Sequence, residues 1–266
     1  MSEGKKEILL GDCLELMKEI PDMSIDLILA DLPYGTTACN WDNIIPMDKL
    51  WEQYKRIRKP NAAILLFASQ PFATDLINSN RAEFKYELLW IKNQWSNHVN
   101  GKRQPLKGHE LILVFYKEQP IFNPQRIPFS DSTIKRYKNG ETVKKSGVIG
   151  DVYRLKSQQF IVDYEKGRLP SSILDYKCVH NGNGTRLHPT QKPTDLLLNL
   201  INTYTNEGDT VLDNTAGSGS TGIAALFGKR NFILIEKEEK YFEIIKKRVA
   251  DFNKNFEQKT LFENEM

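Results

Sequence analysis

Seven short apolar runs, rich in β-branched and aromatic residues, recur along the chain at 7–11, 25–31, 62–68, 86–92, 110–117, 210–214 and 231–236. Several are near-continuous rather than alternating, as in IDLILAD at 25–31 and AAILLFA at 62–68. A strand with no polar face has to be covered on both sides, which is the condition of a parallel sheet in an α/β fold. Helical patterns fall between the runs at 13–20, 47–58, 71–79, 194–205, 219–228 and 238–256. The alternation predicts an open, mostly parallel α/β sheet of seven strands. The runs at 86–92 and 110–117 are joined by a polar stretch without helical periodicity. They are therefore expected to pair antiparallel at one edge.

Segment 118–188 breaks this rhythm. It is polar and carries twelve lysines and arginines against seven acids, with tyrosines at 137, 153, 164 and 176. About seventy residues without structure would be unusual inside a compact domain, so the segment reads as an inserted subdomain with its own task. The expected organisation is 1–117, an insert at 118–188, 189–256, and a tail at 257–266. Segment 93–109 is basic as well, with Lys102, Arg103 and Lys107 and no acid. The overall charge of +3 thus hides a regional excess suited to a polyanion. No run of about 18 apolar residues predicts a membrane span, and MSEGKKEILLGD has no signal-peptide core. Cys13, Cys39 and Cys178 are scattered, as in a reducing cytoplasm. Cys178, His180 and His188 lack the paired spacing of a tetrahedral site, so no metal is expected.

Two strand ends carry the chemistry. The run at 25–31 delivers Asp31, Leu32, Pro33 and Tyr34, an acid and a flat ring on a stiff turn. A helix cap followed by a turn is the bland account of the same residues. The run at 210–214 opens into Asp213, Asn214, Thr215 and the glycines Gly217, Gly219 and Gly222, with a helix after them. Such glycines let backbone approach a ligand at a helix N-terminus, and Glu236, ending the next strand, is placed to accept from both hydroxyls of a ribose. Only 44 residues follow Gly222. A dinucleotide fold builds two βαβαβ halves outward from this loop, which argues against a dehydrogenase. Ligands of open α/β sheets sit beyond the carboxyl ends of strands, so the two motifs can share one crevice.

These residues resemble the permuted β-group of S-adenosylmethionine-dependent DNA amino-methyltransferases. Asp31-Leu32-Pro33-Tyr34 is similar to the D-P-P-Y motif, and Asp213 to Gly222 to D-P-F-x-G-S-G-T-T-G. His188-Pro189-Thr190-Gln191-Lys192-Pro193 matches H-P-T-Q-K-P, and the order of the motifs is that of the group. The resemblance implies a Rossmann-like methyltransferase domain, S-adenosyl-L-methionine as cofactor, and double-stranded DNA as partner. Asp31, Leu32, Pro33 and Tyr34 would be catalytic. Asp12, Thr190, Gln191, Lys192, Asp213, Asn214, Thr215, Gly217, Gly219 and Glu236 would hold the cofactor. For Asp12 a helix cap, and for Lys192-Pro193 a helix start, are the bland alternatives. Leu32 departs from the family's first proline and Thr215 from its usual aromatic.

The implied reaction is transfer to the 6-amino group of adenine in a flipped-out base. Cytosine 4-amino methylation is the alternative, with serine more usual in place of Asp31. Methylation of protein glutamine or RNA is more remote, because there the cofactor loop precedes the acidic motif. A catalytically silent nucleic-acid-binding module is a fourth reading. Lys102, Arg103 and Lys107, with Lys135, Arg136, Lys144 and Lys145 of the insert, are the expected phosphate contacts. The resemblance further implies a bacterial or phage enzyme of the cytoplasm. Enzymes of the group are often homodimers, and they act with or without a cognate restriction endonuclease.

Overall fold

The computed structural model describes residues 5–35, 43–138, 166–179, 187–188 and 191–264, the side chains of 136–138 and 255–264 excepted. Contacts divide the chain into Met1–Asn123 with Ser172–Met266, and a second unit, Pro124–Ser171.

The larger unit is built on an eight-stranded sheet. The strands are β1 (Lys6–Leu10), β2 (Ile25–Ala30), β3 (Arg58–Ala68), β4 (Phe84–Ser96), β5 (Lys107–Phe115), β6 (Ile173–Asp175), β7 (Thr210–Asp213) and β8 (Asn231–Glu236). Their order is β1-β8-β7-β2-β3-β5-β4-β6. All seven runs became strands, and β4 and β5 pair antiparallel. Two details differ from expectation. An eighth strand, β6, emerges from the polar segment and pairs parallel with β4 through Leu89↔Ile173 and Ile91↔Asp175. The antiparallel strand β5, which runs against both β3 and β4, is interior rather than at the edge, and β6 takes the edge beside β4.

Helices α1 (Cys13–Leu16), α2 (Met47–Ile57) and α3 (Phe72–Ser79) cover one face, and α5 (Thr194–Tyr204), α6 (Ser220–Phe227) and α7 (Glu239–Asn264) the other. Strand β3 shows why the apolar runs are continuous. Ile64, Leu66 and Ala68 pack with Leu50, Tyr54 and Phe72, while Ala63, Leu65 and Phe67 pack with Leu196, Leu200 and Ile201. Successive side chains point to opposite faces, and both faces are core. Among the described residues no helix is long and apolar enough to cross a membrane.

In the second unit, Ile127 bridges Arg168 antiparallel and the Arg126 guanidinium donates to the Gly167 carbonyl at 2.9 Å. Helix α4 (Asp131–Lys138) belongs to this unit and carries exposed Lys135.

Candidate active site

The sheet order places four acids along one edge. Neighbouring strands β1, β8, β7 and β2 end, respectively, just before Asp12, at Glu236, at Asp213 and just before Asp31. Parallel register aligns these carboxyl ends, with Leu10↔Glu236 and Asp213↔Leu234 as Cα partners. All four acids line one cavity of about 360 Å³, together with Leu32, Pro33, Tyr34 and Gly217.

The glycine loop forms as its sequence suggests. Gly219 caps α6 at φ +75°, and a Cβ there would approach Ile245 to 2.9 Å. Only glycine meets both demands without strain. A Cβ on Gly222 would stand 2.6 Å from Leu234, so helix and strand pack too closely for a side chain. Glu236 accepts from the backbone N–H of Gly217 at 2.7 Å and of Glu238 at 2.8 Å. Asp213 accepts from the Thr221 hydroxyl at 2.6 Å and the Thr215 N–H at 3.1 Å. Burial pushes the Asp213 carboxyl up to about 7, and its two hydrogen bonds only partly oppose this. Burial also raises Glu236 above the usual carboxylate range. Asn214 accepts from the Tyr54 hydroxyl at 2.5 Å, while its amide nitrogen is buried with no partner among the described residues.

At the other end, both oxygens of Asp31 are engaged. Tyr34 donates its hydroxyl to Oδ1 at 2.7 Å, and Lys192 donates its ammonium to Oδ2 at 2.5 Å. The Tyr34 ring is stacked on Phe72 at 5.0 Å, which fixes its plane. Lys192 also lies 3.4 Å from Glu110 Oε2 and 4.8 Å above the Phe67 ring. Lys92 holds Glu110 Oε1 at 2.8 Å. Burial raises Asp31 above its ordinary range, against the pull of Lys192. Burial acts on Glu110 in the same sense, but Lys192 and Lys92 outweigh it and hold that carboxyl at about 2. Burial works to lower Lys192, yet Asp31 and Glu110 leave it above the usual lysine value.

Most sequence-predicted residues meet in this cavity: Asp12, Asp31 to Tyr34, Gln191, Lys192, Asp213 to Thr215, Gly217 and Glu236 line it. Gly219 shapes the loop from beside the lining. Asp12 also caps α1, accepting from Leu14 N at 2.9 Å, and Pro193 is the residue before α5. Lys107 was expected on phosphate, but its ammonium is hydrogen-bonded to the Ser69 hydroxyl, and burial lowers its pKa. Lys102 and Arg103 are exposed between β4 and β5. Thr190, Lys144 and Lys145, and the side chain of Arg136, lie outside the described residues. Sequence reasoning missed Glu110, Lys92, Phe72 and Tyr54. It also gave no reason for the threonine at 215. That hydroxyl donates to the Asp31 carbonyl at 3.1 Å and so ties the glycine loop to the Asp31–Tyr34 turn. The unexpected leucine at 32 is buried in the core cluster with Tyr54 and Phe72.

A family model described as DNA methylase matches residues 25–247. The chain belongs to the DNA methylase family. Among its relatives, the DNA adenine methyltransferase YhdJ of Escherichia coli (strain K12) is 30% identical over 262 residues, which is 90% of this chain and 81% of that protein. Type II methyltransferase M.HpaI of Haemophilus parainfluenzae is 27% identical over 93% of this chain and 76% of its own length. The crystal structure of an M1.HpyAVI–SAM complex superposes with a TM-score of 0.59 at 25% identity, covering 91% of this chain and 98% of that one. The cytosine-N4-specific PvuII DNA methyltransferase, at 16% identity and a TM-score of 0.63 over 91% of this chain and 85% of its own, shares the fold.

Proposed function

We propose that this protein transfers a methyl group from S-adenosylmethionine to the 6-amino group of adenine in double-stranded DNA. The observation that carries this reading is one cavity with two chemically unlike ends, an acid-lined glycine loop and the Asp31–Tyr34 turn.

The residues present fit the cofactor. The acids of the loop end have hydrogen-bond donors on them, and their proton affinity is raised by burial, so a ligand with positive charge suits them. The Asn214 amide, buried beside the Cys13 thiol, lines the same end of the cavity. Glu236, tethered by two backbone N–H groups, retains lone pairs for ribose hydroxyls. Bound S-adenosylmethionine supplies an activated methyl group on a sulfonium. Gly217 and Gly219 let the backbone approach the ligand, and Gln191 stands beside the same cavity.

The protein's own work is on the base. An adenine amino group is a poor nucleophile because its lone pair is delocalised into the ring. Asp31 and the backbone carbonyl of Leu32 accept its two hydrogens and draw the nitrogen towards a tetrahedral shape. Positive charge then develops beside a carboxylate held in place beforehand, which favours the transition state over the bound base. Tyr34, braced on Phe72, offers the stacking surface. A paired base cannot reach the turn, so it is flipped out of the duplex. The YhdJ relative, an adenine methyltransferase, favours adenine over cytosine, as does an aspartate rather than a serine at 31. Transfer does not require a cognate restriction endonuclease, and a DNA substrate is met in a bacterial cytoplasm.

Purified protein incubated with methyl-labelled S-adenosylmethionine and unmethylated bacterial DNA should yield labelled N6-methyladenine on nucleoside analysis. Label recovered in N4-methylcytosine, in RNA or in protein would remove the adenine assignment.

A further inference from the structure

Resting on the methyl-transfer reading above, we infer that Glu110 is a positioning residue. It draws the Lys192 ammonium off Asp31 when the target amino group arrives. The geometry is that of one cation between two carboxylates. Lys192 is hydrogen-bonded to Asp31 Oδ2 at 2.5 Å and stands 3.4 Å from Glu110 Oε2. Among the described residues, that buried second oxygen has no well-formed hydrogen bond and meets only the Lys192 ammonium at 3.4 Å, whereas its twin is held by Lys92 at 2.8 Å. An acceptor desolvated and left unmade is costly. It is satisfied by a movement of well under an ångström. Phe67 lies beneath the ammonium at 4.8 Å, so contact with the ring accompanies the shift.

The chemistry gives the movement a purpose. In the resting arrangement both Asp31 oxygens already accept, one from Tyr34 and one from Lys192. An incoming amino group needs one of those positions. As the nitrogen takes the methyl group, the C–S bond of the sulfonium would break to leave a neutral thioether. The nitrogen would be cationic until one proton passes by way of Asp31 to solvent, and an ammonium left on Asp31 would stand beside that new charge. Like charges repel strongly in a desolvated site. A shift of Lys192 towards Glu110 loosens its hold on that acceptor and sets the ammonium farther from the new charge. Glu110, ionised at about 2 by its two lysines, keeps its negative charge throughout the working range. Lys107 faces the same cluster from the Ser69 side. The strand register fixes the arrangement, since Glu110 opposes Trp90 two residues before Lys92.

The test is a double-mutant cycle read by single-turnover methylation of unmethylated bacterial DNA. Glu110→Gln should lower the transfer rate at saturating cofactor and DNA by about tenfold to a hundredfold, the scale of one oriented charge at a reacting centre. The dissociation constant for S-adenosylmethionine should stay within about twofold, because the loss falls on a step after cofactor binding. In a Lys192→Met background, where there is no cation to move, Glu110→Gln should cost nothing further. A merely structural glutamate would cost as much in both backgrounds, and that result overturns the inference. An unchanged rate in Glu110→Gln overturns it equally. Should Glu110→Gln fail to fold, Lys92→Gln loosens Glu110 from the other side, with a smaller loss and the same dependence on Lys192. An equal loss from Lys92→Gln in both backgrounds counts against it. If wild-type protein methylates no adenine, it is the functional reading that fails.

Discussion

The two ends of the cavity hold their carboxylates in opposite ways. Asp213 and Glu236 are held by neutral donors, a hydroxyl and backbone N–H groups. Asp31 is held by a resident ammonium, and Glu110 behind it by two. An acid held by neutral donors keeps its charge uncompensated until a cation enters. An acid held by a lysine is compensated already and is ready for a neutral, hydrogen-bonding guest. The difference matches the two proposed ligands, a sulfonium cofactor that favours the ionised form of Asp213 and an uncharged base.

Exchanging the acid at each end is the strongest way to break this contrast. Asp31→Ala should lower turnover by at least about a thousandfold, at the upper end of what one preorganised group contributes. Cofactor affinity, measured by calorimetry, should stay within about threefold, since Asp31 lies outside the neutral-donor end. An equal loss of cofactor binding would merge the two ends into one site. Glu236→Ala should do the reverse, weakening S-adenosylmethionine by about tenfold to a hundredfold through the absence of hydrogen bonds to a charged acceptor. With cofactor saturating, its transfer rate should stay near the wild-type value. Unchanged affinity in folded Glu236→Ala would remove that residue from the cofactor site.

The two ends were not equally legible from the chain. The glycine loop, Asp213, Glu236 and the Asp31 turn are contiguous in sequence, and their chemistry follows from strand ends and helix starts. The strands themselves were readable because burial on both faces leaves no polar positions in the cores of β2 and β3. Glu110 and Lys92 were not readable. Each sits beside an apolar run and reads as a solvated strand end, and only the antiparallel register of β4 on β5 brings them together. Strand β6 was missed for a related reason. Three residues give no period, and Ile173–Asp175 lies within a polar stretch. The expected domain limits at 118–188 follow a change of composition, whereas contacts separate Pro124–Ser171 and return Ser172 onward to the sheet unit.

A smaller effect sharpens the contrast through pH. Among the described residues Asp213 faces no cation, and burial holds its folded pKa at about 7 against an ordinary 3.8. Between those values the folded protein keeps a proton that the unfolded chain has lost. Its stabilising contribution is therefore full below 3.8 and disappears as pH rises through about 7. Asp213→Asn keeps the acceptor for the Thr215 N–H and cannot ionise. Without cofactor, its unfolding free energy relative to wild type should rise from pH 4 to pH 7, by an amount on the order of a few kcal/mol. A difference that stays flat across this range would mean that burial does not raise the Asp213 carboxyl.

The smallest effect concerns cations that are not buried at all. Lys192 and Lys92 are committed to carboxylates, and Lys107 to Ser69. Lys102 and Arg103 are exposed beyond the 3₁₀ turn His98–Asn100. Their loop leaves the sheet where Ala68, the last residue of β3, opposes Leu111, which is the edge that also carries Asp31. Cations so placed suit the phosphates flanking a flipped base, and neutralising a phosphate releases condensed counterions. Replacing Lys102 and Arg103 with alanine should reduce the slope of log affinity against log salt by one to two units, at about 0.9 for each phosphate no longer neutralised. The set of methylated sites should remain the same, because phosphate contacts position a protein without specifying sequence. Replacing Lys107, half-buried and hydrogen-bonded to Ser69, should change the slope less than replacing Lys102 and Arg103. A salt slope that responds to Lys107 and ignores Lys102 and Arg103 would reverse the assignment of buried and exposed cations.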